Sequence, residues 1–306
     1  MPIRICGAVV LVCFASSSWA QPAPPLIKEN TTVKIAPHVW AIPDANVGLV
    51  PNVGIVVGSR ATMVVDTGLG PRNGATVVRE LNKISTNAEL YVATTHYHPE
   101  HSLGGAAFPA TAKFIRPTVQ HQEMQEVGKT IQNTFANLSP LHKELLDGVE
   151  YPRADILFER EHRLDLGGVH VRLFTRGPLH TKGDTMIFVE EDRVLFSGDV
   201  VMNNAFLAAS ATSSIKTWLT TLDELDGLKP AVVVPSHGGI GDAALIARDR
   251  EYLTAVQVRV AQLKAEGKSV EDVAQTVAPE IQAKFPGWTS PARVASAARA
   301  AYAEAR

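Results

Sequence analysis

A short segment, Thr95-His96-Tyr97-His98-Pro99-Glu100-His101, constrains this chain more than any other part of its sequence. It places three imidazoles and one carboxylate directly after the β-branched and aromatic run 91–95. Ligands spaced this closely can surround an ion only where the chain is bent and held, as at the junction of a buried strand and a loop. The segment therefore predicts a metal site at the end of a strand.

Three later segments offer further donors beside strand-like runs. His180 stands in a loop rich in Gly and Pro, just before an apolar run. Asp199 follows the run 194–198, and His237 follows the run 231–235. Runs of this kind, bounded by Gly or Pro, are typical of buried strands. Because the ends of neighbouring strands share one edge of a sheet, we expect these side chains to converge.

Taken in order, these residues resemble the metallo-β-lactamase superfamily. The family's pattern is His-x-His-x-acid-His, then a later His, Asp and His, and it is matched by His96, His98, Glu100, His101, His180, Asp199 and His237. The family's earlier Asp, shortly before Gly, is matched by Asp66. The resemblance covers roughly residues 33 to 240, and separate motifs in the right order make it specific. It implies an α/β fold, the four-layer αββα sandwich of this superfamily.

The resemblance also implies a site for two zinc ions. One ion would be held by His96, His98 and His180. The second would be held by Glu100, His101 and His237, with Asp199 shared between the two. Glu100 stands where Asp is usual, so the second zinc could be weakly bound, or Glu100 could orient the attacking water instead. Asp66 is expected to orient the ligand loop, and Glu100 and Asp66 are the candidate catalytic residues.

The implied activity is hydrolysis of a carbonyl compound by a metal-bound hydroxide. We expect a small-molecule substrate, namely a β-lactam-like amide, a lactone or an ester. A thioesterase or glyoxalase-type enzyme and a hydrolase that accompanies quinoprotein dehydrogenases are alternatives. The non-enzymatic alternative is a periplasmic metal-binding protein, since one fold serves many functions.

The charge balance of the chain bears on the kind of partner that it can bind. The chain has 29 basic and 31 acidic side chains, and this near-neutral balance argues against nucleic-acid binding. Its hydrophobic content of 45% and charged content of 20% are typical of a globular enzyme. The sequence does not indicate an oligomeric state.

The first twenty residues have the pattern of a signal peptide. Arg4 precedes an apolar stretch, 5–15, that is too short for a stable membrane helix, and Ser18-Trp19-Ala20 provides a cleavage motif. We expect a periplasmic or secreted protein, without stable membrane insertion after processing; a retained anchor is the alternative. Both cysteines, Cys6 and Cys13, lie in this segment, so the mature chain would have neither a disulfide nor a thiolate ligand.

The rest of the chain is expected to contain a mobile leader, 21–32, and one domain, 33–306, with a helical tail from about 243. We expect strands at 33–42, 53–58, 61–66, 156–164, 169–175, 185–190 and 193–198, besides the one leading into His96. We expect helices at 72–84, 118–147 with a break at Ser139-Pro140, 214–228, 243–266 and 291–305. The loop 44–52 is expected to cover the site with the apolar side chains of Val47, Leu49 and Val50.

The other histidines and the polar residues near the ligands are expected to be ordinary surface or loop residues: His38, His121, His142, His162, His170, Lys182, Asn203, Asn204 and Ser210.

Overall fold

The computed structural model describes residues 23–305, so the expected signal peptide, 1–20, lies outside the described residues. A seven-stranded sheet holds, in spatial order, β1 (Val33–Ala36), β2 (Val39–Ile42), β3 (Val53–Val57), β4 (Ala61–Val65), β5 (Glu89–Ala93), β6 (Lys113–Pro117) and β7 (Ile156–Phe158). A five-stranded sheet holds β12 (Val232–Pro235), β11 (Val194–Gly198), β10 (Thr185–Val189), β9 (His170–Thr175) and β8 (Glu161–Asp165). The helices are α1 (Gly70–Asn82), α2 (Pro99–Ser102), α3 (Thr118–Ala136), α4 (Pro140–Leu146), α5 (Ile215–Gly227), α6 (Ala244–Ala265), α7 (Val270–Lys284) and α8 (Arg293–Glu304), with a 3₁₀ turn at Leu103–Ala107.

The two sheets pack face to face between two layers of helices. Along β4, Met63 and Val65 enter the core between the sheets, whereas Val64 enters the core beneath α1. This alternation follows from the two-residue period of a strand, and both faces are apolar because both are covered. On the far side, α5 to α8 cover the outer face of the five-stranded sheet. The four-layer αββα sandwich expected from the sequence is confirmed.

The expected strand 156–164 is wrong. Its first part, β7, pairs with β6 in the seven-stranded sheet, and its second part, β8, pairs with β9 in the other sheet. Glu159 and Arg160 carry the chain from one sheet to the other. The local sequence does not reveal this break, because only the tertiary fold decides which sheet each half of the segment joins.

The leader is also different from the expectation. The backbone N–H of Ile27 donates to Asn73 on α1 at 2.7 Å, and the Asn73 amide donates to the carbonyl of Pro25 at 2.9 Å. Glu80 accepts hydrogen bonds from the Asn30 backbone and the Thr32 hydroxyl. Residues 25–32 thus pack on α1 rather than forming the mobile leader expected over 21–32.

The helical tail contains one helix more than expected. The sequence predicts helices over 243–266 and 291–305, and α6 and α8 lie there, but α7 between them was not predicted. Ser269 caps α7 by accepting a hydrogen bond from the backbone of Asp272, and Pro279 lies inside the helix. No helix within residues 23–305 is long and apolar enough to cross a membrane.

Candidate metal centre

The candidate ligands lie where the ends of strands from both sheets meet. Asp66 follows β4 and His96 follows β5, which is parallel to β4; Asp199 follows β11. Gly198 makes the close approach between the sheets possible, because it has a φ of +61° and a Cβ there would lie 2.9 Å from the Thr95 side chain. A glycine adopts this left-handed conformation without steric cost. Gly198 therefore allows Asp199 to lie beside His96, although the two residues follow strands of different sheets.

The first candidate ligand set consists of three histidines. Nδ1 of His98 lies 3.0 Å from Nε2 of His96 and 3.3 Å from Nε2 of His180. Nitrogens bound about 2.1 Å from a tetrahedral zinc ion lie about 3.4 Å apart. These two distances are therefore close to those around one zinc ion, and the donor nitrogens of all three histidines lie within 4.8 Å of one another.

The second set lies beside the first. Nε2 of His101 is 3.6 Å from Oε1 of Glu100, and the donor atoms of Glu100, His101 and His237 all lie within 4.8 Å of one another. The two oxygens of Asp199 face different histidines, Oδ2 at 3.6 Å from Nε2 of His180 and Oδ1 at 3.9 Å from Nε2 of His237. Asp199 is thus placed to bridge the two sets, and the glutamate side chain reaches the second one.

Asp66 lies outside both sets and orients them. Its carboxylate accepts hydrogen bonds from the Thr95 backbone at 2.7 Å, the Thr95 hydroxyl at 3.0 Å and Nδ1 of His101 at 2.9 Å. Since the Thr95 hydroxyl donates to Asp66, its oxygen is left to accept from Nδ1 of His96, 3.3 Å away. Asp66 is therefore a positioning residue rather than one that contacts the reacting atoms.

Two more histidines are held by backbone carbonyls. Nδ1 of His180 donates to the Ala208 carbonyl at 2.7 Å, and Nδ1 of His237 donates to the Val50 carbonyl at 3.0 Å. A carbonyl can only accept, so in the neutral imidazole Nδ1 carries the proton and Nε2 presents its lone pair to the site. Such outer hydrogen bonds are typical of metal-binding histidines.

The electrostatics suit a cation. Burial lowers the pKa of His96 well below its ordinary value and that of His98 to about 4, so both are neutral, the form that binds metals. Burial lowers the pKa of His101, but the Asp66 and Glu100 carboxylates raise it well above its ordinary value, so metal binding there would displace a proton. Burial raises the pKa of Asp199, but His237 and His180 lower it below its ordinary value.

Three buried donor atoms have no hydrogen-bond partner in the described part of the chain. They are Oε2 of Glu100, Nε2 of His101 and Oδ1 of Asp199. Buried polar atoms left without a partner cost stability unless something binds them. Their position at the centre of the two sets fits bound metal ions.

The centre opens into a cavity of about 850 Å³. Its lining includes Val47 and Leu49 from the expected covering loop and five candidate ligands, His98, Glu100, His180, Asp199 and His237. Val50 is buried and contributes its carbonyl to His237 instead. The volume is in the range typical of small-molecule sites.

Several residues that line or support this cavity were not expected from the sequence. Asp44 and Asn52 join the covering loop to the His237 loop: Asp44 accepts from the Gly238 backbone at 2.7 Å, and the Asn52 amide donates to the Pro235 carbonyl at 2.8 Å. Arg293, from α8, also lines the cavity. No local motif in the sequence marks these three residues, since each acts through partners far along the chain.

Of the polar residues near the ligands, Asn203 and Asn204 line the cavity. Lys182 instead contacts Glu126 at 3.4 Å, and Ser210 bonds to Thr212. None of the histidines predicted to be ordinary, His38, His121, His142, His162 and His170, belongs to a ligand set in the described residues.

Comparison with known families agrees with this geometry. Residues 47–237, more than half of the chain, match the metallo-beta-lactamase superfamily. The chain belongs to this superfamily. The resemblance predicted from His96, His98, Glu100 and the later ligands is thereby confirmed. The chain is thus a member of the metallo-beta-lactamase superfamily, and proteins of this superfamily bind metal ions.

Two curated relatives are thioesterases. The chain is 23% identical over 192 residues to an acyl-coenzyme A thioesterase of Homo sapiens, an alignment that covers 57% of this chain and 66% of the human protein. It is 23% identical over 190 residues to the atrochrysone carboxyl ACP thioesterase of Aspergillus fumigatus, covering 62% of this chain and 38% of the fungal protein. The chain thus spans less than two thirds of the length of these relatives.

Among solved structures, the chain is similar to the stereoselective inverting sec-alkylsulfatase Pisa1 from Pseudomonas sp. The TM-score is 0.70 at 15% identity, and the match covers 89% of this chain and 50% of that one. At this identity the likeness shows the fold alone.

Proposed function

We propose that this protein is an exported, zinc-dependent hydrolase of acyl esters, with thioesters as the first substrate class. The observation that carries the proposal is the pair of donor sets joined by Asp199, in which buried Glu100, His101 and Asp199 atoms face the centre without partners. Two zinc ions bound there would supply a hydroxide nucleophile near neutral pH and polarise a carbonyl.

The chain's own residues prepare the site for this chemistry. Asp66 orients His101 directly and His96 through Thr95, while the Ala208 and Val50 carbonyls orient His180 and His237. These contacts hold the ligands before any ion binds, which lowers the reorganisation needed on binding and turnover.

The cavity supports an acyl substrate. Val47, Leu49 and Phe135 give it an apolar side, and Met202 adds a further apolar surface. An acyl chain packed there would place its carbonyl beside the donor sets. Both thioesterase relatives support a thioester as the bond that is cleaved. β-Lactams and lactones are the second candidate class, suggested by the cysteine-free ligand pattern of the chain.

The proposal is tested with the purified, zinc-reconstituted protein and a panel of thioesters, lactones, β-lactams and sulfate esters. We expect the highest kcat/KM with a thioester and a loss of at least about 100-fold in the variant His98→Ala. His170→Ala is the matched control, because His170 is exposed and bonds to Glu191 far from the site. A folded, zinc-loaded protein that cleaves no member of the panel would contradict enzymatic function and support a metal-binding role.

A further inference from the structure

One wall of the cavity comes from the end of the chain, beyond the residues that match the superfamily. The backbone of Thr289 pairs with that of Ala205: Phe206 donates to the Thr289 carbonyl at 3.1 Å, and Thr289 donates to the Asn204 carbonyl at 2.8 Å. This pairing fixes the segment before α8 against the loop that follows Asp199. As a result, Arg293, the first residue of α8, lies at the cavity wall.

Arg293 is the one Lys or Arg side chain among the described residues that line the cavity. It is half-buried, and its single hydrogen bond in the described structure is from Nη1 to the Phe206 carbonyl, at 3.2 Å. Within residues 23–305, no carboxylate forms a salt bridge with it. A guanidinium has five N–H donors in a planar fork, so most of its donor capacity is left for another partner.

Arg293 lines the same cavity as the candidate ligands Asp199, His180 and His237. A cation in this lining can attract an anionic group of a substrate that is bound beside those ligands. Nearby Arg248 differs, because its guanidinium donates to Asn204 at 2.8 Å and stacks on Trp288 outside the cavity lining.

We propose that Arg293 binds an anionic group of the substrate, so that the enzyme prefers esters or thioesters that carry a carboxylate or phosphate near the scissile bond. This inference rests on the proposed hydrolytic function. Arg293 is then a specificity-determining residue, because planar guanidinium groups bind carboxylate and phosphate oxygens in pairs. The apolar side, with Val47 and Leu49, would hold the uncharged part of the same substrate.

The test compares matched acetyl thioesters whose thiophenol leaving group is neutral, carboxylated or phosphorylated. For the wild type we expect a KM about tenfold lower with the anionic thioesters, and in Arg293→Gln we expect this preference to disappear with little change in kcat. Arg293→Lys keeps the charge without the fork and should retain part of the preference. Arg248→Gln is the matched control and should keep all of it. Comparison of KM between the carboxylated and the phosphorylated thioester shows which anion Arg293 favours.

A structural role for Arg293 predicts a different result. If the guanidinium only supports the Phe206 carbonyl, Arg293→Gln will lower the melting temperature and reduce kcat for all three thioesters alike. An unchanged ratio of KM between neutral and anionic thioesters would overturn the proposal.

A binding measurement separates this inference from the proposed function. Thioether analogues, in which a methylene replaces the thioester carbonyl, cannot be hydrolysed. Calorimetry should show about tenfold weaker binding of the carboxylated thioether to Arg293→Gln than to the wild type, with no such difference for the neutral one. If this holds while no thioester is cleaved, the proposed hydrolysis is wrong but the anion site stands. If both proteins bind the carboxylated thioether equally, the anion site is wrong whatever the activity.

Discussion

The carboxylate of Asp66 accepts a 2.9 Å hydrogen bond from Nδ1 of His101. The same carboxylate accepts from the Thr95 hydroxyl, whose oxygen lies 3.3 Å from Nδ1 of His96. One side chain outside the donor sets therefore orients a histidine in each of them.

This relationship predicts the effect of Asp66→Asn. The amide would present N–H groups where His101 and Thr95 need an acceptor, so the affinity for zinc should fall by about 10- to 100-fold. Zinc titration followed by metal analysis measures this. Asp192→Asn is a matched control, because Asp192 also bonds to a histidine, His38 at 3.0 Å, but away from the site. Equal zinc affinity in Asp66→Asn and the wild type would contradict the positioning role.

Removing one ligand from each set should have unequal effects. His96→Ala should lower kcat/KM more than His237→Ala, by at least about 100-fold against about tenfold, because the first set has no spare donor. Metal analysis should give close to two zinc ions per wild-type chain, or one if Glu100 weakens the second site. A well-folded preparation that binds no transition metal after reconstitution would rule out a metal centre here.

Variants of Glu100 should separate the effect of its side-chain length from the effect of its negative charge. Glu100→Asp shortens the side chain to the length usual in the family and should tighten the second zinc. Glu100→Gln keeps the length and removes the charge. Loss of one metal equivalent in the glutamine variant would identify Glu100 as a ligand, whereas a large loss of kcat at constant metal content would identify it as the residue that orients the attacking water. Unchanged metal content and rate in both variants would show that it has neither role.

Asp249 should make stability depend on pH. It is fully buried on α6, accepts from the Met202 backbone at 2.7 Å, and burial raises its pKa well above the ordinary value. The folded state thus holds this proton more tightly, so the free energy of unfolding should fall as pH rises from about 4 through the raised pKa, by at most about 1.4 kcal/mol per pH unit.

Denaturant unfolding of Asp249→Asn at several pH values checks this dependence. The variant should be more stable than the wild type at neutral pH and should have a flatter pH profile. Asp147→Asn, at an exposed position, is the control and should keep the wild-type profile. Parallel profiles for the wild type and Asp249→Asn would show that Asp249 does not control this dependence.

The proposed export predicts that the mature chain has a defined N-terminus, because the signal peptide is removed at one position. Mass spectrometry of protein from the native host should find an N-terminus at Gln21, because Ser18-Trp19-Ala20 provides the small residues that a signal peptidase reads. Intact protein beginning at Met1 in the cytosol would show that the segment is not cleaved.

The donor sets could be predicted from the sequence because their signals are local. His96, His98, Glu100 and His101 are consecutive or nearly so, and His180, Asp199 and His237 each adjoin an apolar strand. The same local signals located most strands and helices. The interior Pro279 weakens the helical pattern of α7, which explains why that helix was not predicted despite its Ser269 cap.

The surroundings of the site could not be predicted, because they depend on long-range packing. Arg293 reaches the cavity through the pairing of Thr289 with Ala205, and Asn52 acts on a carbonyl at Pro235. Nothing near these residues in the sequence indicates their partners. The division of 156–164 between two sheets is of the same kind, since only the tertiary fold decides which neighbour each half pairs with.

The pairing of Thr289 with Ala205 brings a second, separate stretch of the chain to the cavity. The donors that would carry the chemistry lie between His96 and His237, whereas the cationic wall of the cavity follows α7. Substitutions in the last turn before α8 can therefore alter which molecules are accepted without disturbing the donors. In the evolution of such a protein, or in its engineering, new substrates could be acquired from the C-terminal end while the hydrolytic machinery is inherited unchanged.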